Sequence, residues 1–350
     1  MPEARNVEQA RALVLEKPRE LAPRQLPIPD AAADGAVLRV EACGLCGTDH
    51  ELYTGALPLG FPFIPGHETV GVIEAIGDDA RAAWHVDVGD RVAVEPLLVN
   101  RECYGMLPLD RESGLWGGYA THHYLAAGTR VHKVPAGLDP VLATMFNPLG
   151  AGIRWAVDVP QTQSGAVVAV LGPGVRGLAA VVAAREAGAA FVMITGRGEH
   201  DAPRLELARA FGADLACDVE VDDPVAALRK AVGAGADVVV DVTAKAPAAF
   251  AQAVALARRG GTVVVAGTRG VGVGAPGFEP DHVVYKELRI LGAFGVDSSA
   301  YERAFDLLTS GKYPFADIPR RVADLDGAED LLLTMAGEAG PPPMHAVIAP

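Results

Sequence analysis

The segment Gly172-Pro173-Gly174-Val175-Arg176-Gly177 follows the apolar run Val167–Leu171 and leads straight into an alanine-rich stretch with helical periodicity. No other feature of the chain restricts its fold as much. The first glycine permits the tight turn, the second lets the backbone approach a pyrophosphate, and the third lets helix pack on strand. The helix start then offers unpaired N–H groups and a positive dipole end to phosphate. A lone glycine-rich turn carries little weight in a chain with 40 glycines. Flanked by strand and helix, it predicts a dinucleotide site built on Gly172, Pro173, Gly174, Val175 and Gly177.

The surroundings repeat that rhythm. Apolar runs at 191–194, 237–242, 262–266 and 288–291 alternate with helical patterns at 177–188, 204–211 and 246–259. Such alternation predicts a parallel sheet covered on both faces, here over residues 156–292. Residues 1–155 read differently: short runs at 36–40, 70–73 and 91–94, parted by Gly, Pro and Asp, predict a β-rich region. The tail, 293–350, returns to mixed structure with a helix near 301–310. The expectation is an α/β protein of two domains, with 156–292 inserted between 1–155 and 293–350.

An NAD site places an acidic residue about 20 positions beyond the glycine turn, on the ribose hydroxyls. Here the strand at 191–194 runs into Thr195-Gly196-Arg197, and a neutral gap followed by arginine suits the 2′-phosphate of NADP. On the other reading Arg197 is merely solvated, and Glu199 or Asp201 turns back to the ribose of NAD. Thr243, Gly267 and Thr268 end later strands, whose carboxyl ends should line the coenzyme crevice.

Composition narrows the partners. A net charge of −14 without a basic stripe argues against nucleic acid and anionic membranes. The longest apolar stretch, 166–184, is interrupted by Gly172, Pro173, Gly174 and Arg176 and does not read as a membrane span. The first residues lack the basic and apolar segments of a signal peptide, so the cytoplasm is the expected location. Four cysteines, unevenly spread, do not make a disulfide framework.

Two short segments carry the remaining chemistry: Cys46-Gly47-Thr48-Asp49-His50 and Pro65-Gly66-His67-Glu68. A thiolate, an imidazole and a carboxylate are the ligand types of a catalytic zinc. Together with Val88-Gly89-Asp90-Arg91-Val92, Gly117-Gly118-Tyr119-Ala120, the glycine turn and the run from Lys286 to Gly292, they occur in an order that closely resembles the zinc-containing medium-chain alcohol dehydrogenases. The resemblance extends over nearly the whole chain. It implies a GroES-like catalytic domain beside a doubly wound Rossmann domain, a small-molecule alcohol or carbonyl substrate, and a homodimer or homotetramer. It also implies that Cys46 and His67 bind zinc, that Glu68 lies beside the metal, and that Thr48 takes the alcohol proton. Asp49 would orient His67 from behind.

Three departures modify the pattern. Asn147 stands where the family has its third ligand, and an amide is a poor zinc donor, which shifts that role to Glu68 or water. Because neighbours on a regular strand point oppositely, His67 and Glu68 can share a metal only across an irregular turn at Gly66. The usual relay histidine is Glu51 here, with His50 one place earlier. The segment 100–108 carries one cysteine, Cys103, where many relatives hold a structural zinc, so one catalytic zinc and no structural zinc are expected. Rival readings are a zinc-free NADPH-dependent enone or quinone reductase and a non-catalytic dinucleotide-binding protein. The trio Cys46, His67 and Glu68 argues against the first; Asn147 is the only support for the second.

Overall fold

A computed structural model describes residues 8–350. Packing divides the chain into two compact units: one runs up to Met145 and resumes over Pro319–Pro350, the other is Phe146–Ile318. Within the second unit the flanking helices Phe146–Ile153 and Ser298–Thr309 pack together. Phe146 lies against Tyr301 and Phe305, ring centroids 5.1 and 5.9 Å apart. Sequence periodicity placed the junctions near 155 and 293; aromatic contact of this kind has no sequence signature.

The first unit begins with an antiparallel pair, β1 (Gln9–Lys17) and β2 (Glu20–Pro27). Its main sheet uses β3 (Ala36–Gly44), β4 (Glu68–Ile76), β5 (Arg91–Val94), β6 (His122–Leu125) and β7 (Val131–Lys133). The parallel sheet of the second unit comprises β8 (Val167–Leu171), β9 (Phe191–Gly196), β10 (Leu215–Asp218), β11 (Ala236–Asp241), β12 (Ala257–Val265) and β13 (Arg289–Gly292). The chain then returns to the first unit with β14 (Arg320–Ala323) and β15 (His345–Ile348).

The main sheet of the first unit runs β14-β15-β3-β4-β5-β7, with β6 paired to β3. At its centre Val347 lies opposite Gly44 and Ile348 opposite Cys43, so the last strand braces the backbone that leads to Cys46. Beside it, β4 places Glu68 opposite Gly44. Two distant stretches of sequence thereby deliver Cys46 and Glu68 to one end of the sheet. Strand alternation sends the neighbours His122 and His123 to opposite faces: His122 meets Glu74 at 3.0 Å, and His123 is wholly buried.

The second unit has the order β10-β9-β8-β11-β12-β13, every pair parallel. This is the doubly wound arrangement, with its reversal between β8 and β11. Ala169, Val170, Val239, Val240, Val263 and Val264 are fully buried. A strand covered on both faces reads as a continuous apolar run rather than an alternation. Among the described residues, no helix is long and apolar enough to cross a membrane.

Candidate active site

Cys46 lies just ahead of helix Gly47–Thr54 in an extended conformation, φ −127°. Asp49 fixes it there by accepting the Cys46 N–H on Oδ2 at 2.9 Å. Thr48 occupies the first turn and is half-buried. Across from this turn His67 precedes β4, and its Nε2 is 3.1 Å from Cys46 Sγ. The other ring nitrogen, Nδ1, faces Asp49 Oδ1 at 3.6 Å. Both of those atoms are buried without a hydrogen-bond partner. An Nδ1–H turned toward the carboxylate leaves the Nε2 lone pair aimed at the thiol.

Glu68 completes the group. One donor atom from each of Cys46, His67 and Glu68 lies within 4.8 Å of the others, and all three residues are buried. The irregular turn expected at Gly66 is present, with φ +95°. A Cβ there would come within 2.5 Å of Tyr119 Cδ1 and 2.9 Å of Cys43 Sγ, so glycine is required for space as well as conformation. Gly44 supplies room for the carboxylate, since a Cβ at 44 would sit 2.6 Å from Glu68 Oε2.

The electrostatics fit a cation. Burial disfavours a charged His67 ring, but Cys46 and Asp49 outweigh it and hold the imidazole well above its ordinary pKa. A buried thiol, imidazole and carboxylate are the donor set of a zinc site. The orphaned Nδ1 facing a carboxylate is the outer support such a histidine uses. The residues present therefore fit zinc.

Neighbouring groups are committed elsewhere. Cys43 is fully buried, and burial drives its thiol pKa far up, so it packs as a small core residue and not as a reactive thiol. His50 is hydrogen-bonded to Glu338 at 2.6 Å, and Glu338 is also held by Arg19. Trp116 is core, stacked near Tyr104 and edge-on to Tyr124. In the second unit Asn147 Oδ1 accepts from the Tyr301 hydroxyl at 3.0 Å, so its carbonyl has a structural partner.

The predicted coenzyme residues of the second unit converge at the carboxyl edge of its sheet. Gly172 has φ +103°, and a Cβ on Gly177 would lie 1.8 Å from Gly172 O. At Gly174, by contrast, an added Cβ would meet nothing within 4 Å. This glycine stands ahead of helix Val175–Glu186 without a side-chain cap. Open space beside uncapped amide groups is what a pyrophosphate needs. Gly172 N donates to Thr195 O, and a Cβ on Gly196 would be 3.0 Å from Pro173 Cγ. Thr243 and Gly267 close the other side, a Cβ at 267 coming within 2.0 Å of Thr243 O. Thr268 is exposed beside them, its carbonyl accepting from Lys245 N.

Sequence reasoning missed two residues here. Asp241 ends β11 fully buried, accepts from Thr243 Oγ1 at 2.6 Å, and pairs with Arg269. Arg269 also donates to Gly267 O at 2.6 Å. It thereby ties the turn after β12 to the turn after β11. The signal was an acidic residue closing an apolar run, followed by an arginine just past the next strand. Arg197, which was singled out, has a side chain 79 % exposed and ion-paired to Glu220 at 2.8 Å.

Comparison with known proteins agrees with this geometry. Residues 32–136 match the alcohol dehydrogenase GroES-like domain family, and residues 176–310 match the zinc-binding dehydrogenase family. A probable alcohol dehydrogenase of Mycobacterium tuberculosis is 62 % identical, over 97 % of this chain and 98 % of that one. Among solved structures, a Sinorhizobium meliloti protein described as a zinc-binding dehydrogenase, bound to NADP, is 29 % identical. It superposes with a TM-score of 0.84, covering 98 % of this chain and all of the other. An alcohol dehydrogenase from Thermotoga maritima is 26 % identical, with a TM-score of 0.85 over 98 % of this chain and all of that one.

Proposed function

The chain belongs to the zinc-type medium-chain dehydrogenase/reductase family, and on that premise we propose that it catalyses the reversible oxidation of a small-molecule alcohol to an aldehyde or ketone with NAD(P). The observation that carries this reading is the convergence of Cys46, His67 and Glu68 donor atoms within 4.8 Å. A metal-free reductase has no use for that buried trio, which disfavours the enone reductase reading.

When bound, zinc supplies a Lewis acid for the substrate oxygen and the nicotinamide supplies the hydride acceptor. The chain does the rest. Cys46, His67 and Glu68 hold the metal, and the thiolate and carboxylate together balance its two positive charges. The Tyr301 hydroxyl on Asn147 supports giving the third place to Glu68. Asp49 keeps the His67 ring turned with Nε2 toward the metal position. Thr48 Oγ1, two residues beyond Cys46, takes the proton of the alcohol as its own hydroxyl proton passes outward, finally to solvent.

In the second unit the turn from Gly172 to Gly177 takes the pyrophosphate, and Thr195, Gly196, Thr243, Gly267 and Thr268 edge the coenzyme. Arg197, just beyond the end of β9, receives the 2′-phosphate, so NADP is accepted as well as NAD. The proposed roles are catalytic for 1–155 with 293–350 and coenzyme-binding for 156–292. One zinc per chain follows from the single cysteine, Cys103, in the segment 100–108. A homodimer or homotetramer is part of the same proposal. Its support is the edge strand β13 with exposed Ile290, flanked by exposed Val284 and Tyr285 in the helix Asp281–Tyr285 and by Phe294 just beyond the strand. A cytoplasmic location belongs to the same proposal.

Metal analysis with an alcohol panel tests the function. We expect close to one zinc per chain and turnover with NAD or NADP. Zinc below about a tenth of an equivalent in active protein would sink the mechanism, because a catalytic site binds its metal stoichiometrically.

A further inference from the structure

We propose that Glu220 sets the balance between NADP and NAD by competing with the coenzyme 2′-phosphate for Arg197. This rests on the reading of Arg197 as the 2′-phosphate residue. In a doubly wound sheet the residue that closes the second strand meets the adenosine ribose. Here that strand is β9, and Arg197 follows its last residue directly. The neighbouring strand β10 ends at Asp218, two residues before Glu220. Arg197, Gly198, Glu199, His200 and Glu220 together line a surface cavity at this corner.

The geometry of that corner is unusual for an anion site. Arg197 Nε donates to Glu220 Oε1 at 2.8 Å. The same carboxylate packs on the α-carbon of Gly198, where an added Cβ would lie 2.6 Å from Glu220 Oε2. Gly198 has φ +66°, so glycine serves both the turn and the close approach. Two backbone donors beside it are already taken. The Arg197 N–H goes to Asp201 Oδ2 and the Gly198 N–H to Asp218 Oδ1, each at 2.8 Å.

Three carboxylates thus meet this turn: Glu220 pairs with the Arg197 side chain, while Asp201 and Asp218 accept the backbone N–H groups of Arg197 and Gly198. Asp201 and Asp218 are bound to backbone amides and form part of the turn. Glu220 is the one that accepts from the Arg197 guanidinium, and its side chain is half exposed, free to swing away. A 2′-phosphate must displace this carboxylate from the arginine and tolerate its charge nearby. A neutral 2′-hydroxyl faces neither cost, and it can donate a hydrogen bond to the carboxylate. Glu220 thus weakens NADP selectively while leaving NAD undisturbed.

The test is direct binding of NADPH and NADH to the full-length, zinc-loaded protein, followed by nicotinamide fluorescence without substrate. Glu220→Gln keeps size and polarity and removes the charge. NADPH should bind about five-fold more tightly, the scale of one exposed ion pair, with NADH within about two-fold of the parent protein. Unchanged or weaker NADPH binding overturns the proposal, as does equal tightening of both coenzymes. Arg197→Ala tests the underlying reading separately. If it leaves NADPH affinity of the parent protein unchanged, Arg197 does not hold the 2′-phosphate, whatever Glu220 does. A loss of NADPH affinity there, with no gain in Glu220→Gln, overturns the role of Glu220 alone.

Discussion

Asp49 Oδ1 lies 3.6 Å from His67 Nδ1, while the other oxygen of the same carboxylate accepts the Cys46 N–H at 2.9 Å. One buried side chain thus touches both segments that carry the proposed zinc ligands. It orients the ring of one ligand and fixes the backbone of the other.

Asp49→Asn should separate these roles. The amide oxygen can still accept from Cys46 N–H, so the helix start is kept. The charge behind the imidazole is lost, and zinc affinity should fall by about 10- to 100-fold, the usual effect of removing an outer partner. Competition with a chromophoric chelator measures this. Unaltered affinity would mean that the ring is oriented by packing alone.

Gly174 and Gly177 should respond to alanine in different ways. At 177 the new Cβ would press on Gly172 O at 1.8 Å, so the turn must open and both stability and coenzyme affinity should drop. At 174 nothing lies within 4 Å, and Tm should stay within a degree or two of the parent, as for an unstrained surface change. Coenzyme affinity should still fall by about ten-fold or more, because the methyl enters space the pyrophosphate uses. Calorimetry and NADH titration on the two variants check the contrast. Normal NADH binding by Gly174→Ala would remove the pyrophosphate from this turn.

The legible parts of the molecule were those with local, periodic signals. Strand Val167–Leu171 and the glycine turn after it were marked by composition and spacing. The resemblance placed His67 and Glu68 beside one metal, strand geometry then required an irregular turn at Gly66, and that turn is present. In contrast β10 went unread, as did helix Pro224–Val232 after it. Leu-Ala-Cys-Asp is too short and mixed to show a period, and it becomes a strand because β9 pairs with it. The link of Asp241 to Arg269 spans 28 residues, and the hydrogen bond of Tyr301 to Asn147 spans 154. Such partners are set by topology, and no window of sequence contains both.

Arg269→Ala should cost far more than an ordinary arginine substitution. Asp241 is fully buried and the Arg269 side chain is 12 % exposed, so the variant leaves a carboxylate without its cation. Breaking one side of a buried pair costs about 3–5 kcal/mol. The double variant Arg269→Ala, Asp241→Asn should recover part of that loss, because no buried charge remains. Urea unfolding of the two proteins reads the difference. A single variant as stable as the parent would show that water reaches Asp241.

His123 and His345 make the fold sensitive to acid. Both are buried, and desolvation lowers each ring to a pKa of about 3, with Arg320 adding to the effect at His345. Above pH 6.5 both rings are neutral whether the chain is folded or not. Below that value the unfolded chain takes up protons that the folded chain refuses until about pH 3. Stability is therefore lost as pH falls through this window, by about 1.4 kcal/mol per pH unit for each ring. His345 Nε2 faces the Thr144 hydroxyl at 3.2 Å, so replacing it also removes a hydrogen bond. His123 is the cleaner probe, since neither ring nitrogen has a partner and the ring packs edge-on to Tyr104 at 4.5 Å. His123→Phe should match the parent in urea at pH 7.5 and exceed it by about 2 kcal/mol at pH 5, where one protonation penalty is gone. Parallel losses for the two proteins between pH 7.5 and 5 would show that His123 is protonated in the folded state.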